Sequence, residues 1–238
     1  MTNRLYYQSN IECNDIFTED FKKLLVNLHD KFNNEVQEIR KDRLANQEKA
    51  RNGTMPSPLA ESEANGEWKI KDLPEDLRTP GIEISGPASI ASMLINALNP
   101  GPGGVRAEGD LDDDEDAAGH TLEDSILAAR NRMHATLGTL SFDNPKTGKH
   151  YELQTGKIPF FMHRERGLHL DEPMVKVDGS PISATILGTA LTLFFGGTKK
   201  DNEIIRLLNC FGKIIWCGKL GSGHSLKALN NFINAAVL

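Results

Sequence analysis

The stretch IPFFMHRERGLHLDEPMVKVDGSPISATILGTALTLFF, residues 158–195, alternates apolar runs with charged and turn residues. It opens on a short apolar run, Ile158 to Met162, with the length and composition of a buried strand. His163-Arg164-Glu165-Arg166 follows at the carboxyl end of that strand. Met174 to Val177 predicts a second short strand and Asp178-Gly179 a turn. Ile182 to Phe195 predicts a buried helix, because its 14 residues fall short of the about 20 that a bilayer needs. A strand ending in charged groups and followed by a helix is the repeating unit of α/β proteins, and in α/β barrels the functional residues sit where strands end.

Toward the amino terminus, Ile82-Glu83-Ile84 alternates like a strand and Ser85-Gly86-Pro87 turns. Ile90, Met93, Leu94, Ala97 and Leu98 then fall at helical spacing until Asn99-Pro100 ends the helix. Between Thr18 and Ala50, the residues Phe21, Leu24, Leu25, Leu28, Phe32, Val36 and Ile39 recur at steps of 3, 4 and 7. That spacing is one face of a long amphipathic helix, with Thr18 as N-cap and Asn52-Gly53 as stop. Thr54 to Gly66 is a polar connector, after which Trp68, Ile70 and Leu73 restart an apolar pattern. Residues 125–141 begin as a helix.

Charge is unevenly spread. Glu108 to Asp116, EGDLDDDED, holds seven acidic residues and no basic one, in a chain whose net charge is −6. Without that run the remainder would carry +1, so the acidity is local. The run lacks EF-hand spacing and predicts a solvated acidic loop. From Gly197 to Leu238 there are six basic and two acidic residues. This part predicts a helix from Asp201 to Asn209, a strand from Lys213 to Cys217, a glycine-rich turn and a helix from Ser225 to Val237. The change in character predicts a module boundary near Gly196, giving segments 1–80, 81–196 and 197–238.

Hydrophobic residues at 39% and charged residues at 25% describe a soluble globular chain. Cys13, Cys210 and Cys217 are too few and scattered for a disulfide framework, and their spacing fits no zinc site. A reducing, cytoplasmic setting follows as the expectation. MTNRLYYQSN lacks the apolar centre of a signal peptide, and no stretch predicts a membrane span. With a pI of about 5.7 and no basic patch interleaved with aromatics, nucleic-acid binding has no support.

The pieces GEWKIKDLPEDL (66–77), IEISGP (82–87), INALN (95–99), RERGLHLDE (164–172) and VDGSPISATILGTALTLFF (177–195) together resemble the amino-terminal part of the shorter, A-type malate synthases. The resemblance covers residues 18–195. It implies an α/β fold: an amino-terminal helical segment, then the opening strands and helices of an incomplete (β/α)8 barrel, with a small helix-strand-helix tail. It also implies Claisen condensation of acetyl-CoA with glyoxylate and water to give malate and CoA, the reaction of the glyoxylate cycle, assisted by Mg²⁺. By the family's R-x-R-G-x-H pattern the catalytic arginine falls on Arg164. Arg166, as a substrate-binding residue, Gly167 and His169 complete the motif. A fixed guanidinium suits that role because it stabilises developing negative charge and can hold carboxylate oxygens bidentately. On residue type and spacing alone, Arg164 and Arg166 read as surface arginines paired with Glu165 and Asp171, and the wider resemblance reverses that reading.

Two departures from the family weigh against turnover by this chain alone. Asp110, Asp112 and Asp113 can be laid on the family's D-F-E-D strand motif, but Arg106 and Glu108 interrupt the apolar strand expected before it. A complete barrel takes roughly 250 residues, and the metal-binding carboxylates and the base aspartate that the family implies lie beyond the resemblance, which predicts a truncated chain without Mg²⁺ ligands.

GKIIWCGKLGSGHSLKALNN (212–231) resembles instead the 3-hydroxyisobutyrate dehydrogenase family. Its pattern G-x-x-G-x-G-x-x-x-K-x-x-x-N is met by Gly218, Gly221, Gly223, Lys227 and Asn231. That resemblance would make Lys227 the acid/base and Asn231 a substrate-orienting residue. NAD is not expected, since the glycine order is not the dinucleotide fingerprint and no βαβ unit precedes it. The alternatives to a malate synthase chain are therefore a non-catalytic or decayed fusion product, or a β-hydroxyacid dehydrogenase fragment.

Overall fold

The computed structural model describes residues 2–55, 72, 78, 81–156, 158–196 and 205–208, the last four by backbone alone. The expectations for 66–71, 73–77 and 209–238, including Lys227 and Asn231, lie outside the described residues.

Four parallel strands organise the centre: β2 (Glu83–Gly86), β3 (Gly109–Asp113), β6 (Phe160–Arg164) and β9 (Ile205–Leu208), adjacent in that order. Parallel neighbours need crossovers. Helix α2 (Ala91–Leu98) lies between β2 and β3, α3 (Leu122–Thr136) between β3 and β6, and α4 (Ala184–Leu191) with a π-helical turn, Thr192–Gly196, between β6 and β9. The register pairs Ile84 with Asp110 and Asp110 with Phe161, then Asp113 with Arg164. The result is an α/β chain with an open four-stranded sheet among the described residues. The helix expected at 201–209 is replaced in part by β9. A short apolar run carries no periodicity that separates strand from helix, and pairing with β6 decides it here.

The acidic run is the larger correction. Residues 109–113 are a central strand and not a solvated loop, and Asp110, Asp112, Asp113 and Asp114 are buried. Arg106 and Glu108 precede the strand instead of interrupting it. The Glu108 carboxylate accepts from the Ile82 backbone N–H at 2.7 Å, and Arg106 donates to the carbonyls of Gln154 and Thr155.

Around this sheet the remaining elements follow their local signals. Helix α1 (Glu19–Arg51) is capped by the Thr18 hydroxyl, which accepts from the Phe21 N–H, and stops at Asn52 with Gly53 at φ +87°. Its buried face, with Phe21, Leu25, Phe32 and Val36, packs with Val175, Ile182, Leu187, Leu191 and the α3 residues Leu122 and Ile126. Strand β7 (Asp171–Val177) is paired antiparallel on one side to β1 (Leu5–Tyr7) and on the other to β8 (Ser180–Ser183), across the predicted Asp178-Gly179 turn. A separate hairpin, β4 (Ser141–Asp143) with β5 (His150–Glu152), leans on a second apolar cluster of α2, α3 and Phe161. Helix α3 thus stands between two cores.

Candidate functional site

The site lies where β3 and β6 end. Successive side chains of a strand point to opposite faces, so these two neighbours sort their charges into two sets.

Asp112, Asp114, His163 and Glu165 turn toward the helices. There Arg132 of α3, 1% exposed, bonds Asp112 through Nε and Asp114 through Nη2 at 2.5 Å, while its Nη1 donates to the Thr192 hydroxyl at 3.1 Å. His163 lies with Nδ1 3.0 Å from Asp112 Oδ2 and Nε2 2.6 Å from Glu165 Oε1. Asp112 Oδ1 accepts from the Ala88 N–H, which ties the loop after β2 to the same group. Burial alone would raise the Asp112 carboxyl, but Arg132 and His163 outweigh it and hold it below the usual carboxylate range. Burial and the Arg132 charge oppose protonation of His163, yet Glu165 and Asp112 prevail and keep the imidazole charged well above its ordinary value. For Asp114 burial wins over Arg132, and its carboxyl is pushed up. Gly188 on α4 makes room for this set, since a methyl group there would overlap the Glu165 carboxylate.

Asp113 and Arg164 point the other way. Arg164 Nε donates to Asp113 Oδ1 at 2.9 Å and Nη2 to Asp113 Oδ2, a bidentate pair; Nη2 also meets Asp116, and Nη1 lies 3.6 Å from Glu115. Asp113 is fixed by accepting the backbone N–H groups of Glu115 and Asp116. The Arg164 side chain is 26% exposed, Asp113 4% and Asp116 72%. Hydrogen bonding to Asp113 raises the guanidinium above its already high value, against partial burial. The pairing with Glu165 that residue spacing allows does not form.

Arg166 is buried, donating to Glu172 at 3.0 Å and to the His120 carbonyl, and the pairing with Asp171 that spacing allows does not form, since Asp171 pairs with Arg40. His169 is exposed, and a Cβ on Gly167 would come within 2.6 Å of its Nδ1 and 3.1 Å of Glu115 Oε1. Sequence reasoning missed Glu115 and Asp116 as partners of Arg164, and the whole Arg132 network. Arg132 carried one signal: it continues the buried helical stripe Leu122, Ser125, Ala129.

Asp112, Asp114 and His163 offer ligand atoms within 4.8 Å of one another, the one such group among the described residues. The Mg²⁺ that the resemblance implies does not fit them. Mg²⁺ demands oxygen ligands and retains water, whereas this group is buried, includes an imidazole and already holds the Arg132 guanidinium between its two carboxylates.

No helix among the described residues is long and apolar enough to cross a membrane. No family model matches the chain. The malate synthase of Myxococcus xanthus is 38% identical over 144 residues, 60% of this chain and 25% of that protein. Malate synthase A of Escherichia coli is 30% identical over 181 residues, 75% of this chain and 32% of the other. The glyoxysomal malate synthase of Gossypium hirsutum is 26% identical over 228 residues, 93% of this chain and 38% of its own length. The chain thus spans about a quarter to two fifths of the relatives it matches, and it is similar to one segment of the malate synthases.

Proposed function

We propose that this chain is a malate synthase family chain whose reaction class is the Claisen condensation of acetyl-CoA with glyoxylate, and that Arg164 recognises glyoxylate. One observation carries it: in a segment similar to malate synthases, Arg164 sits at the carboxyl end of a central parallel strand with its guanidinium rigidly held yet partly exposed. The four parallel strands are read as the opening of a (β/α)8 barrel, where strand ends carry the chemistry.

In this reaction the acetyl methyl loses a proton, the enolate carbon attacks the glyoxylate aldehyde, and water then releases CoA from the malyl thioester. Arg164 holds the glyoxylate oxygens and stabilises the negative charge that develops on them. Asp113 orients the guanidinium by locking Nε and one Nη2 hydrogen, which directs the outer Nη1–Nη2 edge to the substrate. Asp113, Glu115 and Asp116 all bear on the guanidinium, so none of them is assigned as the base for the methyl proton. The dehydrogenase alternative rests on Lys227 and Asn231, outside the described residues.

Release of CoA from acetyl-CoA in the presence of glyoxylate and Mg²⁺, with the full chain and with Arg164→Ala, tests this. Turnover lost in the variant supports it, and turnover indifferent to the substitution overturns the site. Absence of both turnover and Arg164-dependent glyoxylate binding overturns the functional reading.

A further inference from the structure

The guanidinium of Arg164 has two hydrogen-bonding edges, and only one of them is built into the fold. The Nε–Nη2 edge is closed by Asp113, which is buried and held by two backbone N–H groups. The Nη1–Nη2 edge, the one able to take a second carboxylate bidentately, faces Asp116 on Nη2 and Glu115 near Nη1. Asp116 differs from Asp113 in every respect that matters for exchange. It is 72% exposed, it lies outside β3, and its carboxylate has no other partner among the described residues. A small carboxylate ligand arriving at this edge meets a carboxylate already there.

We propose that Asp116 is a displaceable occupant of the outer edge of Arg164 and sets how tightly the site takes a small carboxylate substrate. This rests on the assignment of Arg164 as the glyoxylate-binding residue and adds what that assignment does not contain: an internal competitor of the same chemical class as the substrate. Asp116 must swing into solvent before the ligand seats, which its exposure permits, while Asp113 remains and keeps the guanidinium oriented. The competition works through one exposed ion pair, so its scale is modest, about fivefold in affinity.

The test is a glyoxylate titration of the full chain, Asp116→Asn, Asp116→Ala and Arg164→Gln, and of Asp116→Asn combined with Arg164→Gln. Binding is followed by the Arg164 Nε–H resonance in nitrogen-15 NMR where the arginine is present, and by calorimetry in all. Both Asp116 variants are expected to bind about fivefold tighter than the unaltered chain, and both chains bearing Arg164→Gln to show no binding. Equal, Arg164-dependent binding by the unaltered chain and both Asp116 variants overturns the role of Asp116 and leaves Arg164 as the glyoxylate residue. Tightening that survives Arg164→Gln overturns the proposal by placing the gain elsewhere. No binding by any of the chains overturns the Arg164 assignment and this inference with it.

Discussion

The two faces of the β3–β6 pair use the same residue types to opposite ends. Toward the helices, Arg132 and His163 are enclosed with Asp112, Asp114 and Glu165, none more than 5% exposed. On the other face, Arg164 meets Asp113, Glu115 and Asp116 with exposure rising from 4% to 72% across its carboxylate partners. Burial makes the first set structural, because an unpaired charge there has no water to turn to. On the second face exposure leaves the outermost partner, Asp116, exchangeable while buried Asp113 stays fixed, which a ligand site needs. A strand's alternation by one residue separates the two.

Arg132→Leu is expected to have the largest effect. It leaves Asp112 and Asp114 buried beside each other with His163 as the remaining cation and is expected to remove about 3–5 kcal/mol of stability, read by urea unfolding. A loss below about 1 kcal/mol would make the inner set no different from a surface pair. Gly188→Ala comes next. Alanine favours helix by about 1 kcal/mol, but its methyl displaces Glu165 from His163, so a net loss of about 1–3 kcal/mol is expected in the same measurement.

Asp110 sharpens the contrast from within the strand. Burial, with the Asp112 charge beside it, pushes its carboxyl up to about 7, and one of its oxygens lacks a partner. Because the folded value lies above the unfolded one, the folded state binds more protons between about pH 4 and 7, and Asp110 makes stability fall as pH rises through that window. Asp110→Asn is therefore expected to gain about 1–2 kcal/mol over the unaltered chain above pH 7, with the gain shrinking toward zero near pH 4. A gain independent of pH would show that Asp110 does not titrate there. Arg164→Gln closes the series with about 1 kcal/mol lost, because buried Asp113 keeps its two backbone N–H donors, and thermal melts that separate it from Arg132→Leu by several degrees would uphold the distinction between faces.

Much of the frame was legible because its signals are local. Thr18 and Asn52-Gly53 bracket α1, Asp178-Gly179 marks the turn between β7 and β8, and the apolar spacing of Phe21 through Val36 gives the buried face. The position of Arg164 at a strand end was also readable from the apolar run before it. The acidic strand was not, because its burial depends on Arg132 and His163, which lie 20 and 51 positions away from Asp112. Nothing within EGDLDDDED distinguishes carboxylates that find cations from carboxylates that find water. β9 was missed for a related reason, since its strand character comes from β6 and not from its own four residues.

Helix α1 is tethered along only part of its length. Its last buried apolar residue is Val36, and among the described residues Arg40 makes the final anchor, donating to the carbonyls of Leu168 and Leu170 and pairing with Asp171. From Lys41 to Arg51 every residue is exposed, so that stretch is held by helix-intrinsic forces such as the Glu48–Arg51 pair and the Asn52 cap. A single unbroken helix is therefore expected to span two regimes of amide hydrogen exchange: opening at the scale of global unfolding where Phe21 to Val36 are packed, and fast local fraying past Arg40.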